Sequence, residues 1–333
     1  MMDTRRTLLE RILRFQATCL TGPSSEPLDG LLHDLHTWQV QHAPVVAALT
    51  TAPGIIPAVP VDLFKRLPVG TLREGEPSVT FMTSGTTVGR RGVHRMRDTV
   101  AYDHGAQRWF NHCVPGAPSE VIALLTAPSS APESSLSHMV ASFGGQRAVW
   151  CQTSQGIDIE TFDRACRTDR PVFLATTAFA LLDVLPHAGP LPRGSVVMVT
   201  GGFKGRETTL SSEELLQQVH ATFAPERLVL EYGMTELSSQ LWAAPDGRYR
   251  APPWLRISVV DPQTGEPVPR GTRGQLRFYD AANLDSSVGI ETMDCGIHHT
   301  DGTLELLGRL PGSPTRGCSL TVEEAWARGS DEP

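Results

Sequence analysis

The sequence predicts a mixed α/β protein, with largely parallel sheets covered by helices and a small antiparallel β subdomain after them. Three observations carry this. Continuous apolar runs such as Val121-Ile122-Ala123-Leu124-Leu125 and Ser195-Val196-Val197-Met198-Val199 have the character of strands buried on both faces. From about residue 98 to residue 230, such runs alternate with helix-length segments that carry capping signals. Past Trp242 the pattern changes to short strands between turn signals, among them Pro245-Asp246-Gly247, Pro252-Pro253, Asp261-Pro262 and Thr264-Gly265.

Taken in order, residues 1–15 place Leu8, Leu9, Ile12 and Leu13 at helical spacing among charges, which predicts an amphipathic helix and not a signal peptide. A Gly/Pro/Ser link at 21–27 leads to a second helical region, 28–49. The run Ile55-Ile56-Pro57-Ala58-Val59-Pro60-Val61-Asp62-Leu63-Phe64-Lys65 reads as an extended arm, because its prolines keep it out of mid-sheet. Ser78-Val79-Thr80-Phe81-Met82 predicts a buried strand, and Asp98 is placed to cap a helix reaching Cys113. After the strand at 121–125 come helix 135–143, strand 148–151, helix 158–166, strand 172–175, helix 178–185 and strand 195–199. Ser211-x-x-Glu214 is a capping box opening a helix to about Thr222, before a strand at 227–230. In the antiparallel part, strands are expected at 255–260 and 275–279. The expected organisation is a helical region and arm at 1–77, an α/β core at 78–242, a β-rich subdomain at 243–310 and a short tail at 311–333.

The chain has 333 residues, enough to bury a large core, and its 40% hydrophobic and 20% charged content fits a globular protein. A net charge of −7 gives no reason to expect nucleic acid as a bulk partner, and no apolar run is long enough to span a membrane. Six scattered cysteines without a C-x-x-C pair predict neither a disulfide framework nor a zinc site, and place the protein in the cytoplasm with reduced thiols. Cys295 lies near His298 and His299, but turn residues explain that cluster more simply than a metal. Lys65 and Lys204 are the only lysines, so chemistry that needs a lysine has two candidates.

Five stretches can carry chemistry. Thr83-Ser84-Gly85-Thr86-Thr87-Val88-Gly89-Arg90-Arg91-Gly92 follows a strand and offers a polyanion backbone N–H groups, hydroxyls and guanidinium groups. Without a Gly-Lys-Ser/Thr it is no Walker A loop, and taken alone it also fits a surface turn with solvated arginines. Thr200-Gly201-Gly202-Phe203-Lys204-Gly205 follows the strongest strand, where ligands bind in open α/β sheets, and its glycines let a flat group approach the backbone. Glu231-Tyr232-Gly233-Met234-Thr235-Glu236 supplies an aromatic face for a base and hard oxygens suited to Mg²⁺ and phosphate. In Thr292-Met293-Asp294 and Gly308-Arg309, the carboxylate can accept from both hydroxyls of a ribose and the guanidinium can reach a hydroxyl or phosphate.

In this order, the 83–92 loop, Tyr232-Gly233-Met234-Thr235-Glu236, Thr292-Met293-Asp294 and Gly308-Arg309 resemble the successive core motifs of adenylate-forming enzymes, over roughly residues 79–309. Within that superfamily the chain is most similar to the acyl-protein synthetases of the bacterial bioluminescence fatty-acid reductase complex (LuxE-type). That similarity rests on Ile56-Pro57-Ala58-Val59-Pro60-Val61 with Phe64-Lys65, Ser134-Ser135-Leu136-Ser137-His138-Met139, Gly201-Gly202-Phe203-Lys204 and Arg316-Gly317-Cys318-Ser319-Leu320.

The resemblance implies an N-terminal adenylate-forming fold, ATP and Mg²⁺ as cofactors, a carboxylic acid substrate and an acyl-accepting partner protein such as a reductase or acyltransferase. It implies that Thr83, Ser84, Gly85, Thr86 and Thr87, with Arg91, hold the outer phosphates of ATP. Gly202 and Tyr232 would flank adenine, Thr235 would face phosphate, Glu236 would hold Mg²⁺, and Asp294 and Arg309 would bind ribose. His138 would lie near the carboxylate pocket, and Cys318 would accept the acyl group.

The chain departs from the family at Val88, where glycine is usual, and at Arg91, where lysine is usual. Only 24 residues follow Arg309 and none is lysine, so a truncated C-terminal domain is expected; either another cation takes the role of the family's adenylation lysine, with Lys204 and Lys65 the only lysine candidates, or the first step is weak. Two other readings stay open. One is an acid–CoA or acid–amine ligase with an external nucleophile; the other is a non-catalytic nucleotide- or acyl-binding scaffold.

Overall fold

The computed structural model describes residues 2–24, 26–73, 75–76, 78–84, 90–144, 147–201 and 211–310. Gly85, Thr86, Thr87, Val88, Gly202, Lys204 and Cys318 lie outside the described residues. The chain forms two compact units: Met1–Trp109 with Gly233–Gln240 and Arg250–Pro333, and Phe110–Tyr232 with Leu241–Tyr249. This division cuts through the stretch 78–242 that the sequence presents as one core.

The first unit opens with α1 (Met2–Thr18), which buries Leu8, Ile12 and Phe15 at helical spacing. The helical region at 28–49 is two helices, α2 (Leu28–His42) and α3 (Pro44–Leu49). Pro44 causes the break: it lacks the N–H a continuing helix needs and is well placed in a first turn. The arm at 55–65 contains β1 (Val59–Pro60) and a 3-10 turn, Val61–Lys65. β2 (Val79–Met82) and β3 (Val93–Met96) form a two-stranded antiparallel ribbon, with Phe81 opposite His94. The strand expected at 78–82 is therefore a ribbon strand in which only Phe81 is buried. α4 (Val100–Cys113) starts as expected, with Asp98 Oδ1 accepting from Val100 N–H at 3.1 Å.

The second unit comprises β4 (Val121–Thr126), α5 (Ser135–Gly144), β5 (Val149–Thr153), β6 (Gly156–Ile157), α6 (Ile159–Cys166), β7 (Phe173–Thr177), α7 (Ala178–Val184), β8 (Val196–Thr200), α8 (Ser212–Phe223), β9 (Arg227–Tyr232), β10 (Leu241–Ala243) and β11 (Arg248–Tyr249). Seven strands make one sheet in the order β10-β9-β8-β7-β4-β5-β6, parallel from β9 to β5 and antiparallel at both edges. Its central strands are buried on both faces, as their unbroken apolar runs require. The α8 capping box is present in both directions, with Ser211 Oγ accepting from Glu214 N–H and Glu214 from Ser211 N–H. Phe162 and Phe223 meet edge to face at 6.4 Å in the core on this sheet.

Back in the first unit, β12 (Leu255–Val260), β13 (Arg273–Asp280), β14 (Gly289–His298) and β15 (Leu304–Arg309) form an antiparallel meander. β1 adds in parallel to the start of β14, at Ile290 and Glu291, where β15 does not reach. Gly289 permits that approach, since a Cβ there would sit 2.2 Å from the Pro57 carbonyl oxygen. Cys295 and His298 are strand residues, which replaces the turn expected there. Arg273 Nε donates to the buried Cys295 Sγ at 3.1 Å, and His299 pairs with Glu305 at 3.0 Å.

Candidate active site

The predicted phosphate loop leaves the β2–β3 ribbon through a braced neck. Thr83 N–H donates to Gly92 O at 3.0 Å, and Gly92 N–H donates to Thr83 Oγ1 at 2.8 Å. Arg91 donates from Nε to Thr83 O at 2.6 Å and from Nη2 to Met82 O at 3.2 Å. The guanidinium expected to meet phosphate thus also holds the neck's carbonyls. Ser84 and Arg90 are exposed at its mouth.

Glu236, the expected Mg²⁺ carboxylate, lies in the same unit and is 5% exposed. Both peptide groups flanking its Cα are pinned. The carbonyl of Thr235 meets His94 Nδ1 at 2.7 Å, and the carbonyl of Glu236 accepts from Asn283 Nδ2 at 2.9 Å. The segment then continues into a buried network. Ser238 N–H donates to Asn283 Oδ1 at 2.9 Å and to Asp280 Oδ2 at 3.1 Å, and Ser239 Oγ donates to Asp280 Oδ1 at 2.8 Å. Burial pushes the Asp280 carboxyl up to about 6, while these donors favour its ionised form.

Gly92 brings the neck and Glu236 together. A Cβ at Gly92 would lie 3.0 Å from Thr83 Cγ2 and 3.2 Å from Glu236 Oε1. A buried carboxylate beside the neck of a hydroxyl-rich sequence has the hard-oxygen chemistry that suits Mg²⁺, which binds through one or two carboxylates plus substrate phosphate oxygens. Among the described residues, no three His, Cys, Asp or Glu side chains gather as a complete metal cluster.

The expected ribose pair is also assembled. Asp294 and Arg309 face each other across β14 and β15, with Arg309 Nε 3.6 Å from Asp294 Oδ1. With the Arg309 side chain 62% exposed, this pair adds little stability. Between Gln275 and Arg277 the register to β14 shifts. At this bulge Thr292 Oγ1 accepts from Asp294 N–H at 3.0 Å and donates to Leu276 O at 3.0 Å. Bulges re-aim side chains, and this one falls on the Thr292-Met293-Asp294 motif.

In the second unit, Tyr232 ends β9, is 9% exposed and meets the Tyr249 ring edge-on at 6.1 Å. One strand over, Thr200 Oγ1 donates to the buried Glu231 carboxylate. Gly201 follows β8 with φ +72°, a backbone conformation that favours glycine. His138 lies on α5, partly exposed. Two open grooves of this unit, about 720 and 670 Å³, are lined by none of the predicted site residues. Lys65, in the first unit, pairs with Asp62 at 3.0 Å on the surface.

His94 and Asn283 are the site residues that motif reading missed. Neither has a spacing signal, because each acts on a backbone carbonyl brought near by tertiary structure.

A family model described as AMP-binding enzyme matches residues 21–283. Among curated relatives, the "long-chain-fatty-acid–luciferin-component ligase" of Vibrio harveyi is 26% identical over 145 residues, which is 40% of this chain and 38% of that protein. Among solved structures, ATP-bound MatB from Rhodopseudomonas palustris is similar with a TM-score of 0.51 at 17% identity, covering 72% of this chain and 50% of that one. The o-succinylbenzoate coenzyme A synthetase (MenE) of Bacillus subtilis, in complex with ATP and magnesium ion, gives 0.50 at 16% identity, covering 69% and 49%. The matched stretch thus spans about half the length of these structures and under two fifths of the curated relative.

Proposed function

Because the chain belongs to the AMP-binding enzyme family, we propose that it uses ATP to convert a carboxylic acid to an acyl-adenylate and passes the acyl group to a thiol. The observation that carries this reading is the meeting, in one unit, of the Thr83–Arg91–Gly92 loop neck with the buried Glu236. An acid carboxylate oxygen attacks the α-phosphorus of ATP, the bond to the β-phosphate oxygen breaks, and pyrophosphate leaves. A thiolate then attacks the acyl carbon of the mixed anhydride, forming a thioester and releasing AMP.

The residues of this chain have separable tasks. Thr83, Ser84, Gly85, Thr86 and Thr87 donate to the outer phosphates, with Arg91 fixing the geometry of the loop neck. Thr235 and Glu236 face the phosphates, and Glu236 would hold Mg²⁺, which when bound offsets the charge developing on the leaving pyrophosphate. Asp294 and Arg309 orient ribose; Gly202 and Tyr232 flank adenine; His138 lines the acid's approach. Lys204 is the lysine of the glycine-rich turn available for the adenylation role. The name of the Vibrio harveyi relative favours a fatty acid as substrate and a protein component as final acceptor.

Acid-dependent exchange of labelled pyrophosphate into ATP tests the first step. A panel of acids should include at least one that supports exchange, and Glu236→Ala should remove it. Exchange that survives in Glu236→Ala would exclude this assignment of the metal carboxylate, and wild-type protein inactive with every acid would favour the non-catalytic scaffold.

A further inference from the structure

We infer that His94 is a positioning residue for the metal carboxylate: its ring Nδ1–H, by holding the Thr235 carbonyl, sets the backbone angle from which Glu236 presents its side chain. The inference rests on the proposed ATP-dependent activity and deepens it. A carbonyl oxygen can only accept, so at 2.7 Å from Thr235 O the Nδ1 atom carries the ring proton. Nε2 is then the acceptor atom, and it is buried without a hydrogen-bond partner among the described residues. Burial lowers the pKa of this imidazole, so at neutral pH it is neutral and confined to this tautomer.

A half-satisfied buried imidazole costs free energy, and an apolar side chain would fill the same space without that cost. What an apolar side chain cannot supply is the donor to Thr235. The ring is packed to keep that donor aimed, with Phe64 edge-on at 6.1 Å between centroids and Phe81 opposite on β2. Asn283 holds the next carbonyl, that of Glu236 itself. With the peptide groups on both sides of its Cα fixed, Glu236 has its φ and ψ determined from outside its own segment. His94 stands two residues beyond Gly92 on the strand that closes the phosphate loop, so one side chain links the loop's exit to the carboxylate's backbone.

The test is Mg²⁺-dependent ATP binding by the full chain, measured calorimetrically, in His94→Asn and His94→Gln, with the thermal midpoint of each recorded. The Asn amide nitrogen overlays Nδ1 and the Gln amide nitrogen overlays Nε2. His94→Asn should bind Mg²⁺–ATP within about threefold of wild type, and His94→Gln about tenfold more weakly, the worth of one hydrogen bond. In the absence of Mg²⁺ the difference should vanish. Equal binding by the two variants, or a difference that persists without Mg²⁺, overturns the inference while leaving the activity intact. Wild-type protein that binds no Mg²⁺–ATP overturns the proposed function, and the inference falls with it.

Discussion

At the scale of single residues, Gly92 is where the loop neck and the carboxylate constrain each other most directly. No left-handed φ at Gly92 stands against alanine, so its neighbours are what resist the substitution. A methyl group would press on Thr83 Cγ2 at 3.0 Å and on Glu236 Oε1 at 3.2 Å, and the carboxylate end yields more easily than the braced loop. Gly92→Ala should therefore cost stability no more than a typical overpacking change, about 1–3 kcal/mol. Pyrophosphate exchange should fall about tenfold to a hundredfold, because a carboxylate displaced by a fraction of an ångström loses its alignment with the phosphates. Exchange at the wild-type rate in a folded Gly92→Ala protein would remove Glu236 from the phosphate site. The position of Glu236 in a motif was legible from its neighbours in sequence. Its two supports, His94 and Asn283, were not, since one polar residue in a strand and one in a loop carry no periodic signature.

At the scale of elements, α1 is held by an ion pair as well as by its apolar stripe. Arg5 donates from Nε and Nη2 to both carboxylate oxygens of Asp285, each at 2.6 Å, and reaches Asp98 at 3.0 Å. Asp285 has a side chain only 2% exposed and also accepts from Arg97 N–H at 2.9 Å, so it joins α1 to the approach of β14 and the exit of β3. Arg5→Ala would leave a buried carboxylate without its cation, and urea unfolding should show a loss of about 3–5 kcal/mol. Arg5→Lys should recover only part of that, because an ammonium cannot make the two-pronged contact. A loss under about 1 kcal/mol in Arg5→Ala would mean water reaches Asp285.

The elements themselves divide by how they are buried. β4, β7 and β8 were legible because both faces are covered and their apolar runs are continuous, and β9 was legible from the shorter run Leu228-Val229-Leu230. β3, β14 and β15 were not. Val93-His94-Arg95-Met96 alternates too briefly to stand out, and Thr292 and Asp294 interrupt β14 with polar residues at a register shift.

At the scale of the whole molecule, the motif at 232–236 runs across the division between units: Tyr232 closes the second unit's β9, and Gly233 to Glu236 belong to the first. Phosphate, metal and ribose candidates are carried by one unit, and the adenine and acid candidates by the other. The proposed reaction also needs a nucleophile for its second half. Four of the five described cysteines are poorly suited to it. Burial pushes the thiols of Cys151 and Cys166 up to about 12, and it raises that of Cys19 as well. Cys295 is buried within β14. A thiol near 12 is ionised in only about one molecule in 10⁵ at pH 7, and the thiolate is the reacting form. Cys318 stands between Gly317 and Ser319 with Arg316 close in sequence, a cation that favours thiolate. Incubation with labelled acid and ATP should therefore leave a hydroxylamine-sensitive label on the wild-type chain and none on Cys318→Ala, while pyrophosphate exchange stays the same in both. Equal labelling of the two proteins would remove Cys318 from the reaction. Label that appears on added coenzyme A or amine, and on neither protein, would assign the second step to an external nucleophile and keep the first step on this chain.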